Sequence, residues 1–325
     1  MDGYLRRYWS QRFPKDDPLR PVVQHCLSDI GYRFRPYLLK IAYERRGRYF
    51  ADILPVGAAV ELLQISSLVI DDFCDSSSTR NGQPSVVAKW GSKAAVTIGV
   101  LLSSEAFALL ADSLSRRPRL SNGMEVVVLL QRAHSAIYSG QFDDLRYEGR
   151  TTVSEAEYLA MISKTTAEFL QASLVSGAML RGASERVIGV LNDIGMNLGL
   201  AYQLRDDVID LIADPECTGK PAAGDVRERK MRLPVIHALS HLDGKMRNRL
   251  AAIFRLGRSL TKGEVQEVLQ LLNVAGSIEY AIRRTGEFCR NAEGAIRQLP
   301  SGEKALAARL LAVAGLISKF EGEND

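Results

Sequence analysis

Leu68-Val69-Ile70-Asp71-Asp72-Phe73-Cys74-Asp75 ends an apolar run in three carboxylates, and the same spacing returns in Leu204-Arg205-Asp206-Asp207-Val208-Ile209-Asp210. Both read DDxxD. On a helix, positions i and i+4 share a face, so Asp71 lies beside Asp75 and Asp206 beside Asp210. Like charges at that spacing destabilise an isolated helix, and carboxylates gathered near a core need cations. Oxygen-only ligands suit magnesium, which keeps some waters and takes phosphate oxygens as its remaining ligands. One DDxxD alone is more often a solvated helix face. Two copies, each in apolar helical sequence and each followed by a basic loop, are hard to reach by chance.

Outward from the two clusters the pattern is helical. From Val153 to Leu180 the residues Tyr158, Leu159, Ile162, Phe169, Leu170 and Leu174 recur at three and four. Arg186 to Leu211 repeats this with Ile188, Leu191, Ile194, Leu198, Leu204, Val208 and Leu211. Thr152 or Ser154 can cap the first of these helices, with Glu155 and Glu157 favouring its dipole. Strand signals are nearly absent. Breakers fall at 76–84, 116–123, 214–224 and 257–262. No solenoid repeat is present. This predicts an all-α bundle of about ten helices, one domain over 1–325 with an N-terminal extension over about 1–17 and a disordered tail at 321–325.

The bases near the clusters are those a diphosphate needs. Arg80 follows Asp75 by five residues, Lys220 and Lys230 flank Asp225, and Lys164 sits beside Thr165 and Thr166 in an otherwise apolar helix. Surface lysine is the ordinary reading of Lys220 and Lys230 taken alone. With bound metals, these cations form a cage around one diphosphate. An allylic diphosphate ionises to a resonance-stabilised cation when charge on its leaving group is neutralised by Lewis acids and fixed cations. No nucleophilic side chain is required.

The motifs resemble those of the trans-isoprenyl diphosphate synthases, the polyprenyl synthetase family. The resemblance runs from Gly31 to about Leu239. It includes Asp71 to Pro84, Gly140-Gln141, Asp144-Leu145, Gly199 to Asp210 with Gln203, Gly219-Lys220, Asp225 and Lys230 to Pro234. The resemblance implies an orthogonal helical bundle of the isoprenoid synthase type around a deep cavity, about three magnesium ions (Mg2+), and a homodimer. It implies that Asp71, Asp72, Asp75, Asp206, Asp207, Asp210, Arg80, Lys164, Lys220 and Lys230 hold the allylic diphosphate, with Thr165 and Gln203 beside it. Isopentenyl diphosphate would meet Arg35 and Gln64. Tyr32 stands where the family carries Lys, and Asn81 where it carries a second Arg. Ser67 and Ser66, four and five residues before Asp71, stand where bulky aromatics stop chain growth in the family. Two serines imply a product of about twenty carbons or more. Chain elongation is therefore the first reading. A terpene cyclase, or a prenyltransferase with another acceptor, is the second, because two cations are replaced. A non-catalytic subunit of a heteromeric synthase is the third.

Composition narrows the alternatives. The chain has 325 residues, 46% hydrophobic and 25% charged, with a net charge of +4. That is ordinary for a globular protein and far from a nucleic-acid binder's excess. Cys26, Cys74, Cys217 and Cys289 form no CxxC pair and fit no zinc spacing, which reads as free thiols in a reducing, cytoplasmic setting. No signal peptide is evident, and the apolar stretch from Ala94 to Ala111 is broken by Thr97, Ser103, Ser104 and Glu105, so it reads as a core helix rather than a membrane span. His237 and His241 are four apart but lack the Glu of HExxH, Gly219-Lys220 is no Walker loop, and Gly195 to Gly199 reads as close helix packing.

Overall fold

The computed structural model describes residues 1–28, 31, 33–212 and 223–320. The first half runs α1 (Asp2–Arg12), α2 (Arg20–Ser28), α3 (Phe34–Tyr43), a 3-10 turn (Phe50–Ile53) and α4 (Leu54–Cys74). A hairpin of β1 (Thr79–Arg80) and β2 (Gln83–Pro84) leads to α5 (Val86–Trp90), α6 (Ser92–Ser115) and α7 (Gly123–Tyr147). Next come α8 (Glu155–Ile162), a π-helical turn (Ser163–Ala167), α9 (Glu168–Leu180) and α10 (Glu185–Ile212). Then follow α11 (Gly224–Arg227), α12 (Leu233–His241), α13 (Gly244–Phe254), α14 (Lys262–Val274), α15 (Ser277–Ile296) and α16 (Lys304–Ile317). These are sixteen α-helical segments among the described residues, more than the predicted ten, because short pieces such as α5 and α11 are too brief to show a period.

Two compact units can be distinguished. One holds Met1–Ser135 and Phe169–Asn192; the other holds Ala136–Glu168 and Asp193–Asp325. In the first, α4 packs along α6 and against α1 and α3. Small residues make these approaches close. A Cβ on Gly99 would sit 2.5 Å from Ile70 Cδ1, and one on Gly177 would sit 2.2 Å from the Leu39 carbonyl oxygen. The segment expected as an N-terminal extension forms α1, which buries Leu5 and Trp9 and ties Arg12 to Glu105 at 2.9 Å. The second unit has its core around Tyr158, Leu204, Val208, Leu233, Phe254 and Leu272.

Local chemistry explains the boundaries. Ser154, not Thr152, caps α8: its Oγ accepts from Glu157 N at 3.2 Å, and its own N–H donates to Glu157 Oε2 at 2.8 Å. The long helix read across 153–180 is interrupted by the π-helical turn, which holds Lys164, Thr165 and Thr166. One hairpin forms where no strand is expected. Asn81 and Gly82 have φ of 48° and 75°, the pair of left-handed residues that a two-residue hairpin turn requires. Its strands are two residues each, too short for alternation to register.

Among the described residues two segments, Phe50–Cys74 and Ser92–Ser115, are long and apolar enough to cross a membrane by length and composition. The first is mostly buried inside the protein. The second, expected as a core helix, is less than half buried over its apolar window and exposes Val96 and Val100.

Candidate active site

The first motif closes α4, with Asp71 and Asp72 in the last helical turn and Asp75 as the C-cap. Asp72 is buried and Asp71 half-buried. Arg80 reaches back from β1 to both: its Nη2 donates to Asp71 Oδ2 at 2.9 Å and its Nε to Asp72 Oδ1 at 3.0 Å. The Asn81-Gly82 turn brings the strand round, so the tight loop holds this guanidinium against the motif. Burial acts to lower the arginine's pKa, but the two carboxylates outweigh it and hold the group charged. Asn81 itself is exposed, and its left-handed backbone suits Asn far better than Arg.

The second motif lies near the end of α10. Asp207 is buried; it accepts from Tyr158 Oη and from Gln203 Nε2 at 2.8 Å. Gln203 is fixed in turn by Thr166, whose hydroxyl donates to Gln203 Oε1 at 2.7 Å. Asp210 accepts from the backbone N–H groups of Gly224 and Asp225, both at 3.1 Å. Burial lifts the pKa of Asp207 above the usual carboxylate range; the Arg232 guanidinium opposes this and the Asp225 carboxylate adds to it. Burial also lifts Asp210, again with Asp225 adding. Such carboxylates lean towards protonation unless a cation holds them ionised.

Around this motif stands a charged network. Arg232 donates to Asp144 Oδ1 and to Asp225 Oδ2, each at 2.7 Å, and its Nε lies 3.9 Å from Asp207 Oδ1. The buried Lys230 is 3.5 Å from Asp144. Lys164 Nζ donates to Asp143 Oδ2 at 2.8 Å. Gly140 makes room for the π-helical turn, since a Cβ there would lie 2.6 Å from Thr165 Cγ2 and 2.9 Å from the Thr165 nitrogen.

The family model for polyprenyl synthetases matches residues 16–272. The chain belongs to that family. It is 37% identical over 282 residues to a short chain isoprenyl diphosphate synthase of Methanocaldococcus jannaschii, covering 86% of this chain and 82% of that one. The geranylgeranyl pyrophosphate synthetase from Pyrococcus horikoshii superposes with a TM-score of 0.85 at 31% identity, covering 98% of this chain and 95% of that one. A polyprenyl synthase from Caulobacter crescentus, solved with calcium and isoprenyl diphosphate, matches at a TM-score of 0.84 and 26% identity, over 97% and 93% of the two chains. The fold of the family is all-α, as expected from the periodicity.

Other sequence-designated residues are distributed as follows. Arg35 opens α3 with its guanidinium 5.2 Å from the Phe169 ring centre. Gln64 lies on α4 and its carbonyl accepts from Ser67 Oγ at 2.8 Å. Ser66 is fully buried and its hydroxyl donates to the Gly99 carbonyl on α6 at 2.8 Å. Tyr32, Lys220, Cys217 and the 321–325 tail lie outside the described residues. Among the described residues, Cys26, Cys74 and Cys289 form no disulfide. His237 and His241 stack at 3.9 Å, with His237 Nδ1 2.9 Å from Ser277 Oγ and His241 Nδ1 2.9 Å from the His237 carbonyl oxygen. Gly199 packs on Ala167, where a Cβ would lie 2.4 Å from the Ala167 Cα.

Tyr158, Asp143 and Arg232 are partners that sequence reading leaves out. Tyr158 shows only as a core position of the helical period, and nothing local links it to Asp207, 49 residues away. Arg232 stands inside the Lys230 to Pro234 motif and could have been singled out there.

Proposed function

We propose that the protein is a chain-elongating trans-prenyltransferase. It breaks the allylic C–O bond of a prenyl diphosphate, joins the resulting cation to the double bond of isopentenyl diphosphate, and releases a proton and inorganic diphosphate. The observation that carries this reading is that each aspartate motif is folded with its own fixed guanidinium, Arg80 on the first and Arg232 beside the second. The names of the relatives, all synthases, favour elongation over cyclisation or a silent subunit.

Magnesium is the proposed cofactor. Among the described residues no three His, Cys, Asp or Glu side chains form a closed metal site. A DDxxD motif fits that, because magnesium keeps waters and draws remaining ligands from substrate phosphates. The donor set is carboxylate only, and Asp207 and Asp210 have raised pKa values, the state a divalent cation would relieve. Asp71, Asp75, Asp206 and Asp210 are the proposed ligands. When bound, the ions supply Lewis acidity to the leaving diphosphate. Arg80, Lys164, Lys220 and Lys230 stabilise its charge, Asp72 and Asp207 hold Arg80 and Gln203 in place, and Thr165 with the π-helical turn sets Lys164. Arg35 and Gln64 receive isopentenyl diphosphate, with Tyr32 and Asn81 as neutral neighbours.

The proposed product has about twenty carbons or more. We assign the chain-length role to Ser67, since Ser66 is fully buried against Gly99 of α6. We further propose a cytoplasmic homodimer in which each chain acts as one catalytic domain. The exposed apolar residues of α6, Val96 and Val100, support the dimer. The test is product analysis after incubation with dimethylallyl, geranyl and farnesyl diphosphates, with and without isopentenyl diphosphate. The expected result is isopentenyl uptake into a longer diphosphate. Consumption of the allylic substrate with no uptake would make the protein a cyclase or an alternative-acceptor enzyme.

A further inference from the structure

A cavity of about 210 Å³ lies in the first unit, lined by Arg45, Arg46, Arg48, Arg181, Gly182 and Ala183. Four of its six lining residues are arginines and none is a carboxylate. Arg181 is only 8% exposed and supplies a guanidinium from within, while Arg45 and Arg46 are exposed.

The local backbone draws these charges together. Arg45 and Arg48 close a tight turn, with Arg48 N donating to Arg45 O at 2.8 Å and Gly47 at φ 79°. Arg48 is further set by the Tyr43 ring, 5.9 Å from its guanidinium carbon. On the other wall α9 ends at Leu180, and Gly182 just after it has a φ of 76° that lets Ala183 N donate back to Ala178 O at 3.0 Å. The positive end of α10 starts two residues later. The planar forks of these guanidiniums match the oxygens of a phosphate.

This cavity is remote from the aspartate motif of the same unit. Arg48 lies just before the 3-10 turn that leads into α4, and the 17 residues from Leu54 to Asp71 span about 26 Å of helix. Arg35 opens α3 and Arg45 lies beyond its far end, ten residues or about 15 Å along. The diphosphates of the reaction therefore do not account for it.

We propose that Arg45, Arg46, Arg48 and Arg181 form a second anion site, which takes a phosphate-bearing group such as a free diphosphate or the phosphate of an anionic lipid. The proposal does not depend on the reading of the aspartate motifs. The test uses the full chain in EDTA, so that no metal holds diphosphate at the aspartates. Inorganic diphosphate is titrated calorimetrically into wild type, Arg46→Ala/Arg48→Ala, Arg46→Ala alone and Asp206→Asn. Binding should weaken at least tenfold in the double variant, less in the single one, and stay unchanged in Asp206→Asn. In parallel, flotation with phosphatidylcholine vesicles, with and without phosphatidic acid, at about 150 mM salt separates the sources. Vesicle binding lost in the Arg variants assigns the site to a lipid headgroup; diphosphate binding without vesicle binding assigns it to a free anion. Wild type that binds neither, or Arg variants that bind as wild type does, would overturn the proposal.

Discussion

At the scale of single residues, the proposed chemistry depends on carboxylates kept where water and protons would otherwise neutralise them. Asp207 is buried yet holds two side-chain donors, Tyr158 and Gln203, which keep it aimed without discharging it. Losing one carboxylate from either motif should weaken ionisation as well as binding. Asp71→Asn or Asp206→Asn is expected to cut kcat by about a hundredfold or more, the scale of one preorganised electrostatic contact. Circular dichroism should stay native-like; steady-state rates near wild type would remove these residues from the machinery. Ser67 makes a different prediction. Its hydroxyl is turned back to the Gln64 carbonyl, so nothing bulky fills its position. Ser67→Phe should shorten the product, read by chromatography of the hydrolysed alcohols, and an unchanged length would refute the assignment. The same change at Ser66 would instead overpack the contact with Gly99.

At the scale of elements, the π-helical turn is the feature that sets the geometry of Lys164. Such turns widen a helix by one residue, and they recur at functional sites. Here the widening is matched by two glycines on neighbouring helices, Gly140 against Thr165 and Gly199 against Ala167. Gly199→Ala should therefore be costly. Its methyl would meet backbone rather than a flexible side-chain tip, so α10 or the turn must shift. We expect a loss of about 1–3 kcal/mol in stability, typical of overpacking, with reduced turnover. Thermal unfolding checks the first and steady-state kinetics the second; a melting temperature equal to wild type would contradict the close approach. The hairpin is the counterpart at the first motif. Asn81 is there for its left-handed backbone as much as for its side chain, so its neutrality does not by itself report on isopentenyl diphosphate.

At the scale of the whole molecule, stability and assembly carry the predictions. His134 is 5% exposed, its ring 5.8 Å from that of Phe107 and 6.3 Å from that of Phe169. Burial pulls its pKa down to about 4, against a backbone hydrogen bond with Leu63 that acts the other way. The ordinary value is 6.5, so between about pH 6.5 and 4 the unfolded chain binds more proton than the folded one. Stability is therefore lost as pH falls through that window, by about 3 kcal/mol from this group. His134→Gln should flatten the acid limb of a denaturation series relative to wild type. Parallel curves would show that the ring is not held neutral. For assembly, Val100 on α6 and Met124 on α7 are 57% and 72% exposed, apolar surface that a second copy would cover. Val100→Glu should shift sedimentation from dimer to monomer. A wild-type chain that sediments as a monomer at micromolar concentration would end the homodimer reading.

Periodicity, two spaced aspartate motifs and the basic residues after them were enough to read an all-α, cation-assisted enzyme of allylic diphosphates, because helical amphipathicity and i, i+4 spacing are local properties of the chain; prenyl transfer came from the resemblance of those motifs to the polyprenyl synthetase family. Motifs written in consecutive residues, such as Asp206 to Asp210 or Lys230 to Pro234, declare themselves in the same way. Tertiary structure alone decided the rest. Whether Arg80 lies on Asp71 and Asp72, whether Tyr158 reaches Asp207, and whether Lys164 stands on a π-helical turn all depend on contacts between residues far apart or on one extra residue in a helix. Neither leaves a periodic trace. The four arginines 45, 46, 48 and 181 are the same case: three are neighbours in sequence, but only the meeting of the chain after α3 with the end of α9 brings Arg181 to them around one cavity.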